Sequence, residues 1–212
     1  MNYKKAFIKL AIEKNALKFG SFKLKSERVS PYFFNSGVFS DGKSLSIISK
    51  LLLQLIIENK LQFENIFGTA YKGIPLASAL SSYMALKNMS VTNFIYDRKD
   101  EKKYGEKGDI VGTFKSGKTL IVDDVITAGT AIKSTINKLK KYNVKINALL
   151  VLFDRQEVGT GRITASEEIK KNYDINIFSL MNISDIIDFI SKSKNFEKIK
   201  GDIINYKNKY SL

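Results

Sequence analysis

The chain has no cysteine and no histidine among its 212 residues. Without cysteine there is no disulfide scaffold and no thiolate metal site, and without histidine as well there is no ligand set for structural zinc. Any bound metal is therefore expected to be a hard ion held by oxygen. The missing imidazole also removes the side chain that ordinarily titrates near neutrality. A kinetic pKa in that range would have to come from a substrate phosphate, a depressed lysine or the α-amino group. Prolines number only two, and neither a Pro/Gly/Ser-rich linker nor a shift in composition divides the chain. Its length suits one domain over residues 1–212, with a single sizeable core.

Long hydrophobic runs are missing too. The opening MNYKKAFIKLAIEKN reaches Glu13 before any long apolar stretch, so it reads as an amphipathic helix rather than a secretory signal. Leu45 to Ile57 is the greasiest segment, yet it is short and carries Lys50 and Gln54, which excludes a membrane span. A cytoplasmic protein without a membrane partner is expected. The formal charge of +14 invites a nucleic-acid reading through counterion release. The lysines are scattered among many Asn and Ile residues, however, with no basic stripe, so the charge reflects compositional drift and no nucleic-acid partner is expected. Against that drift, the four arginines Arg28, Arg98, Arg155 and Arg162 are enriched for places that need a planar bidentate donor.

Apolar periodicity predicts a first helix around Phe7 to Leu17, then short strands at Phe19 to Leu24 and Tyr32 to Asn35 in an N-terminal cap. Alternation follows: helix 44–59, strand 65–70, helix 74–87, strand 92–96, strand 119–122, helix 130–142, strand 147–153, helix 166–172, strand 175–180 and a helix from Ser184. This order predicts an α/β fold, a central parallel sheet flanked by helices, with ligands at the carboxyl ends of the strands. Tyr71-Lys72, Asp97-Arg98, Asp123-Asp124 and Asp154-Arg155 each follow an apolar run. Residues 192–212, rich in Lys and Asn, are compatible with a packed helix or a frayed end.

The most informative stretch is KTLIVDDVITAGTA, residues 118–131. A buried strand would deliver Asp123 and Asp124 to the sheet edge, and the small-residue turn would aim backbone N–H groups and two hydroxyls at an anion beside a helix N-terminus. The acids suit ribose hydroxyls and Mg²⁺, and the turn suits a 5′-phosphate. The plainer alternative is a buried strand followed by an ordinary helix cap. Arg98 to Gly108, RKDEKKYGEKG, is charged and has no apolar anchor except Tyr104, which predicts a mobile surface loop. For Lys72 the alternative is a solvated loop lysine, and for Arg155 a surface pair with Asp154.

VDDVITAGT resembles the phosphoribosyl pyrophosphate (PRPP) signature of type I phosphoribosyltransferases. LKSERVSPYFFNSG at 24–37, FGTAYKGIPLA at 67–77, YDRKDEKKYGEKGDIVG at 96–112 and FDRQEVGTG at 153–161 resemble orotate phosphoribosyltransferases, in the order that family has them. The resemblance implies the type I phosphoribosyltransferase fold, with residues 1–40 forming much of a base-binding cap. It also implies Mg²⁺-dependent transfer of ribose 5-phosphate from PRPP to N1 of orotate in pyrimidine biosynthesis, by a homodimer whose catalytic loop is shared between subunits. On this mapping PRPP is held by Lys25, Tyr71, Lys72, Arg98, Lys99, Lys102, Tyr104, Asp123, Asp124, and Val125, Ile126, Thr127, Ala128, Gly129, Thr130 and Ala131. Arg98, Lys99 and Lys102 neutralise the leaving pyrophosphate, with Lys103 beside them, and Asp123 and Asp124 complete the catalytic set. Orotate falls to Phe33, Phe34, Thr127 and Arg155. Arg28 is expected to support the cap. Tyr104 stands where the family commonly has histidine; it can donate a hydrogen bond but cannot carry positive charge. A purine phosphoribosyltransferase and a PRPP-sensing nucleic-acid regulator are the competing readings.

Overall fold

The computed structural model describes residues 3–24, 27–89, 92–102, 108–159, 162–192 and 196–210, with the backbone alone over 99–102. Helix α1 (Tyr3–Glu13) leads into an antiparallel hairpin, β1 (Leu17–Lys23) and β2 (Val29–Phe34), and then a 3₁₀ turn at Ser36–Val38. Next come α2 (Gly42–Glu58), β3 (Asn65–Gly68), α3 (Gly73–Leu86), β4 (Asn93–Lys102) and β5 (Gly108–Val111). The chain continues through β6 (Lys118–Ile126), α4 (Thr130–Lys140), β7 (Lys145–Asp154), α5 (Ala165–Tyr173), β8 (Asn176–Asn182), α6 (Ile183–Ile190) and α7 (Glu197–Tyr210).

The larger sheet runs in the order β5-β4-β3-β6-β7-β8. Its pairings are parallel except at the β5 edge, where β4 and β5 are antiparallel. Strand alternation divides the core. Leu120, Val122, Leu150 and Leu152 face one side, under α1, α2, α3, α6 and α7. Phe67, Ile121, Leu149 and Val151 face the other, under α4 and α5. Burial of both faces explains why β6 and β7 read as continuous apolar runs rather than as alternating ones.

The expected α/β architecture and N-terminal cap are present, with two differences in extent. β6 continues past Val122 to Ile126, carrying both acids within the strand. The segment from Arg98, expected to be a mobile loop, is in its first half a strand: β4 runs on to Lys102, whose backbone pairs with Gly108 of β5. Backbone ladders do not require apolar side chains, so a charged arm can be a hairpin without showing it in composition. The C-terminal segment is a packed helix, with Ile203 and Tyr206 of α7 buried.

Gly73 opens α3 directly against β6. A Cβ there would fall inside contact distance of the Val122 carbonyl and the Thr69 hydroxyl, and the carbonyl belongs to β6 and accepts the Thr69 N–H. Gly73→Ala is expected to lower stability by about 1–3 kcal/mol through overpacking. The same change should push the 69–72 loop outward and weaken PRPP binding. Thermal melts with and without PRPP check both effects.

Candidate active site

The chain leaves β3 toward β4 on one side of the sheet and β6 toward β7 on the other. The carboxyl ends of these two adjacent strands therefore flank the point where the winding reverses, the usual ligand crevice of such sheets. Gly68 is level with Val122. β3 stops there while β6 goes on, so Asp123 and Asp124 stand beside the loop carrying Tyr71 and Lys72. Across from them, Thr127 to Gly129 turn into α4, with Gly129 at φ 77°, the left-handed conformation glycine tolerates.

Helix caps set this crevice apart. Asp41 caps α2, Thr164 caps α5 and Asn182 caps α6, each through its side chain. α3 and α4 start at Lys72 and Gly129 with no side-chain cap. These two helix N-termini, with their partial positive charge, meet the carboxyl ends of β3 and β6. Uncapped N-termini of this kind leave backbone N–H groups able to receive an anion.

The acid pair is heavily constrained. The Ser36 hydroxyl donates to Asp124 Oδ2 at 2.5 Å, and Lys72 Nζ lies 3.4 Å from the same oxygen and 3.5 Å from Asn35 Oδ1. Lys72 is thus directed at the acids rather than being simply a solvated loop lysine. Burial pushes the Asp123 carboxyl up to about 6, opposed by a hydrogen bond from the Thr69 side chain and reinforced by the charge of Asp124. The Asp124 N–H also donates to Asp123 Oδ1 at 2.8 Å. Ser36 and Asn35 carried no role in the sequence reading, although they sit inside the FFNSG motif. Asn35 accepts from Gly37 N, a local turn signature that gives no sign of its long-range partner.

The other end of the crevice is built around Arg155, which follows β7. It is 5% exposed and is not a surface partner of Asp154, which instead accepts from Ser166 Oγ and Gln156 N. The Arg155 Nε donates to Glu157 Oε1 at 2.7 Å, while one terminal nitrogen lies 3.4 Å from both Ser30 Oγ and the Tyr206 hydroxyl. Tyr206 in turn donates to Glu157 at 3.0 Å, and the Arg155 guanidinium stands over the Tyr32 ring at 4.5 Å. Burial raises the pKa of Tyr32 and of Tyr206. Arg28 stacks on Tyr210 and lies 3.4 Å from Glu157, consistent with its expected part in supporting the cap. Glu157 and Tyr206 were not foreseen; the latter is 51 residues from Arg155 in a segment whose composition gave no sign of its packing.

Strand β2 sends the two candidate orotate-binding aromatics to opposite faces. Phe34 is buried against Phe7, Phe39 and Phe153, while Phe33 is 39% exposed and lies against Phe22. Tyr71, Thr127, Ala128, Thr130 and Ala131 are exposed; Gly129 and Ile126 are buried, and Val125 is half-buried. Arg98 lies in β4, and Lys99 and Lys102 are placed there by their backbone. Lys25, Lys103 and Tyr104 lie outside the described residues. Arg162 is exposed and nothing in the structure assigns it a role. A separate cleft of about 850 Å³ lies between the β1–β2 hairpin and α7, lined in part by Arg28, Pro31, Lys198 and Tyr210. It shares Arg28, Ser30, Tyr206 and Tyr210 with the surroundings of Arg155, and its lining includes neither Lys72 nor the Asp123–Asp124 pair.

Because the Asp123 pKa is raised in the folded chain, its protonated form is the one folding favours. The associated stability is full below the ordinary value of 3.8 and is lost as pH rises through about 6. Asp123→Asn is therefore expected to be more stable than the parent at pH 8 by about 2–3 kcal/mol, with the difference closing near pH 4. Denaturant melts at the two pH values check this; an offset independent of pH would contradict it.

Comparison with known proteins agrees with this geometry. The family model for the phosphoribosyl transferase domain matches residues 39–191. The chain is 40% identical over 211 residues to the orotate phosphoribosyltransferase of Hahella chejuensis, covering 100% of this chain and 98% of the relative. It is 37% identical over 210 residues to that of Proteus mirabilis, covering 99% and 98%. The crystal structure of the Francisella tularensis orotate phosphoribosyltransferase superposes with a TM-score of 0.86 at 37% identity, over 98% of this chain and 100% of that one. Matched along its whole length in both sequence and fold, the chain belongs to the orotate phosphoribosyltransferase family.

Proposed function

We propose that this protein transfers ribose 5-phosphate from PRPP to N1 of orotate, releasing pyrophosphate and forming orotidine 5′-monophosphate for pyrimidine biosynthesis. The observation that carries the reading is the meeting of two helix N-termini lacking side-chain caps with the Asp123–Asp124 pair at the winding reversal, in a chain of this family. Orotate is already an anion, so the difficult event is departure of pyrophosphate from C1, leaving an oxocarbenium-like ribose. Catalysis is then chiefly electrostatic and positional.

In this reading residues 125–131, with the N-terminus of α4, grip the 5′-phosphate. Asp123 and Asp124 hold the ribose hydroxyls and favour positive charge on the ring. Tyr71 and Lys72, with the N-terminus of α3, hold the pyrophosphate. Arg98, Lys99 and Lys102 on the β4–β5 arm neutralise that pyrophosphate as it leaves, joined by Lys25 and by a hydrogen bond from Tyr104. Arg155, held rigid by Glu157, Ser30 and Tyr206, reads orotate oxygens; Thr127 and the Phe33–Phe34 segment of β2 complete the acceptor side. Residues 1–40 thus supply much of the base-binding cap.

The donor set suits Mg²⁺. Two adjacent carboxylates are oxygen ligands, and among the described residues no group of three or more His, Cys, Asp or Glu side chains could hold an ion. In this reading the metal is carried mainly by the substrate's phosphates, with Asp123 and Asp124 nearby. When bound, the ion would neutralise the pyrophosphate. The reading includes a homodimer, with each arm closing over its partner's crevice, as the resemblance to the family implies. No helix among the described residues is long and apolar enough to cross a membrane, which is compatible with a cytoplasmic enzyme.

The direct test is loss of orotate absorbance on adding PRPP and Mg²⁺, with adenine, hypoxanthine and uracil as alternative acceptors. Turnover with orotate alone is expected; turnover with a purine, or PRPP binding without turnover, would overturn the reading. Lys102→Ala is expected to cut kcat by about 100-fold or more while leaving the orotate KM nearly unchanged, as for a group acting in the transition state. If arms are shared across a two-fold axis, mixing inactive Lys102→Ala and Asp124→Asn subunits should restore about a quarter of parental activity, one intact site in half of the dimers. No recovery after subunit exchange would refute the shared site.

A further inference from the structure

The root of the arm that carries Arg98, Lys99 and Lys102 is gripped from α4 by Lys138. Lys138, near the C-terminal end of α4, places its Nζ 3.1 Å from Asp97 Oδ2, 3.1 Å from the Arg98 carbonyl oxygen and 3.3 Å from Asp109 Oδ2. The three donors of the ammonium thus reach both strands of the arm, β4 through Asp97 and Arg98 and β5 through Asp109. The Tyr142 hydroxyl, four residues on, donates to the other oxygen of Asp109 at 2.5 Å. Burial opposes charge on Lys138, but the hydrogen bonds and charges of Asp97 and Asp109 prevail and raise its pKa.

Asp97 extends the connection in a second direction. Its carboxylate is 10% exposed, and its Oδ1 accepts the Ala70 N–H at 2.6 Å, next to Tyr71 and Lys72. One carboxylate therefore has one oxygen on the pyrophosphate loop and the other on the helix that begins at the 5′-phosphate turn. An exposed ion pair would contribute little and organise nothing. This one is mostly buried and joins three segments that meet the donor substrate, with three acceptors around a single ammonium.

We propose that Lys138 and Asp97 are positioning residues for departure of pyrophosphate. They fix the root of the arm against the 69–72 loop and α4, so that Arg98, adjacent to Asp97, and the cations beyond it are presented at a set distance from the 5′-phosphate grip. This rests on the reading that the arm carries the leaving-group cations, and it adds the residues that aim them. Misplacing a reacting group by about an ångström costs about 100-fold in rate, so the effect belongs in kcat. Arg155, at the acceptor end, is instead held by Glu157, Ser30 and Tyr206.

The experiment compares Lys138→Met, Lys138→Arg, Asp97→Asn and Arg98→Ala in the full chain. Lys138→Met and Asp97→Asn are expected to lower kcat about 10- to 100-fold with the orotate KM within about twofold of the parent. Lys138→Arg should recover most of that loss. Amide hydrogen exchange over residues 98–111 should be faster in Lys138→Met than in the parent, with exchange in β7 and β8 unaltered. If Arg98→Ala lowers kcat but Lys138→Met does not, the positioning role is wrong while the arm's role stands. If Arg98→Ala leaves kcat unchanged, the reading of the arm fails and this inference fails with it. Equal losses in kcat and orotate affinity, with faster exchange throughout the sheet and no recovery by arginine, would mark the pair as merely structural and overturn the proposal.

Discussion

Two adjacent carboxylates at the end of a buried strand are the constraint around which the rest of this structure is arranged. Asp123 and Asp124 sit where burial and mutual repulsion both oppose ionisation, and Asp123 is held near 6 as a result. An isolated pair of this kind would neutralise itself or move toward water. Here the Ser36 hydroxyl, the Lys72 ammonium and the Thr69 side chain close around it. Those groups come from the cap, from the β3–α3 loop and from the end of β3, so the acids also tie the hairpin region to the sheet.

The two ends of the crevice are built on different principles. The donor end is made from backbone: two helix N-termini, a left-handed Gly129 and the close approach at Gly73, with charge supplied on the β4–β5 arm. Such a surface fits phosphates of varied geometry and depends on strand and helix placement. The acceptor end is made from side chains. Arg155 is locked by Glu157, Tyr206 and Ser30 and laid on the Tyr32 ring, so the orientation of its planar fork is fixed. α7 contributes Tyr206 to this lock.

Much of this was legible in the chain. KTLIVDDVITAGTA announced a strand, an acid pair and an anion-binding turn because each feature is local: apolar run, carboxylates, small residues, helix start. The αβ alternation gave the sheet and the side on which ligands gather. Less legible was anything that depends on partners distant in sequence. The Arg98 segment read as a mobile loop since its side chains are charged, yet the β4–β5 ladder is a backbone matter and composition is silent about it. Ser36 and Asp124 are 88 residues apart, and no local signal joins them. Phe33 and Phe34, adjacent in an extended segment, point to opposite faces as strand geometry requires, Phe34 into the core and Phe33 outside.

The sequence by itself determined the fold class, the family and the chemical types at the site, because these follow from local periodicity and from motifs whose residues are consecutive. It also determined that no imidazole takes part. The tertiary structure decided which groups face one another. It put Lys72 and Ser36 on Asp124, buried Arg155 with Glu157 rather than at the surface with Asp154, and made Lys138 the junction of arm, loop and helix. Each of these is a contact between segments brought together only when the sheet forms. Burial and distance set the charge state of Asp123 and the aim of Arg155, and both quantities come into existence with the packed fold.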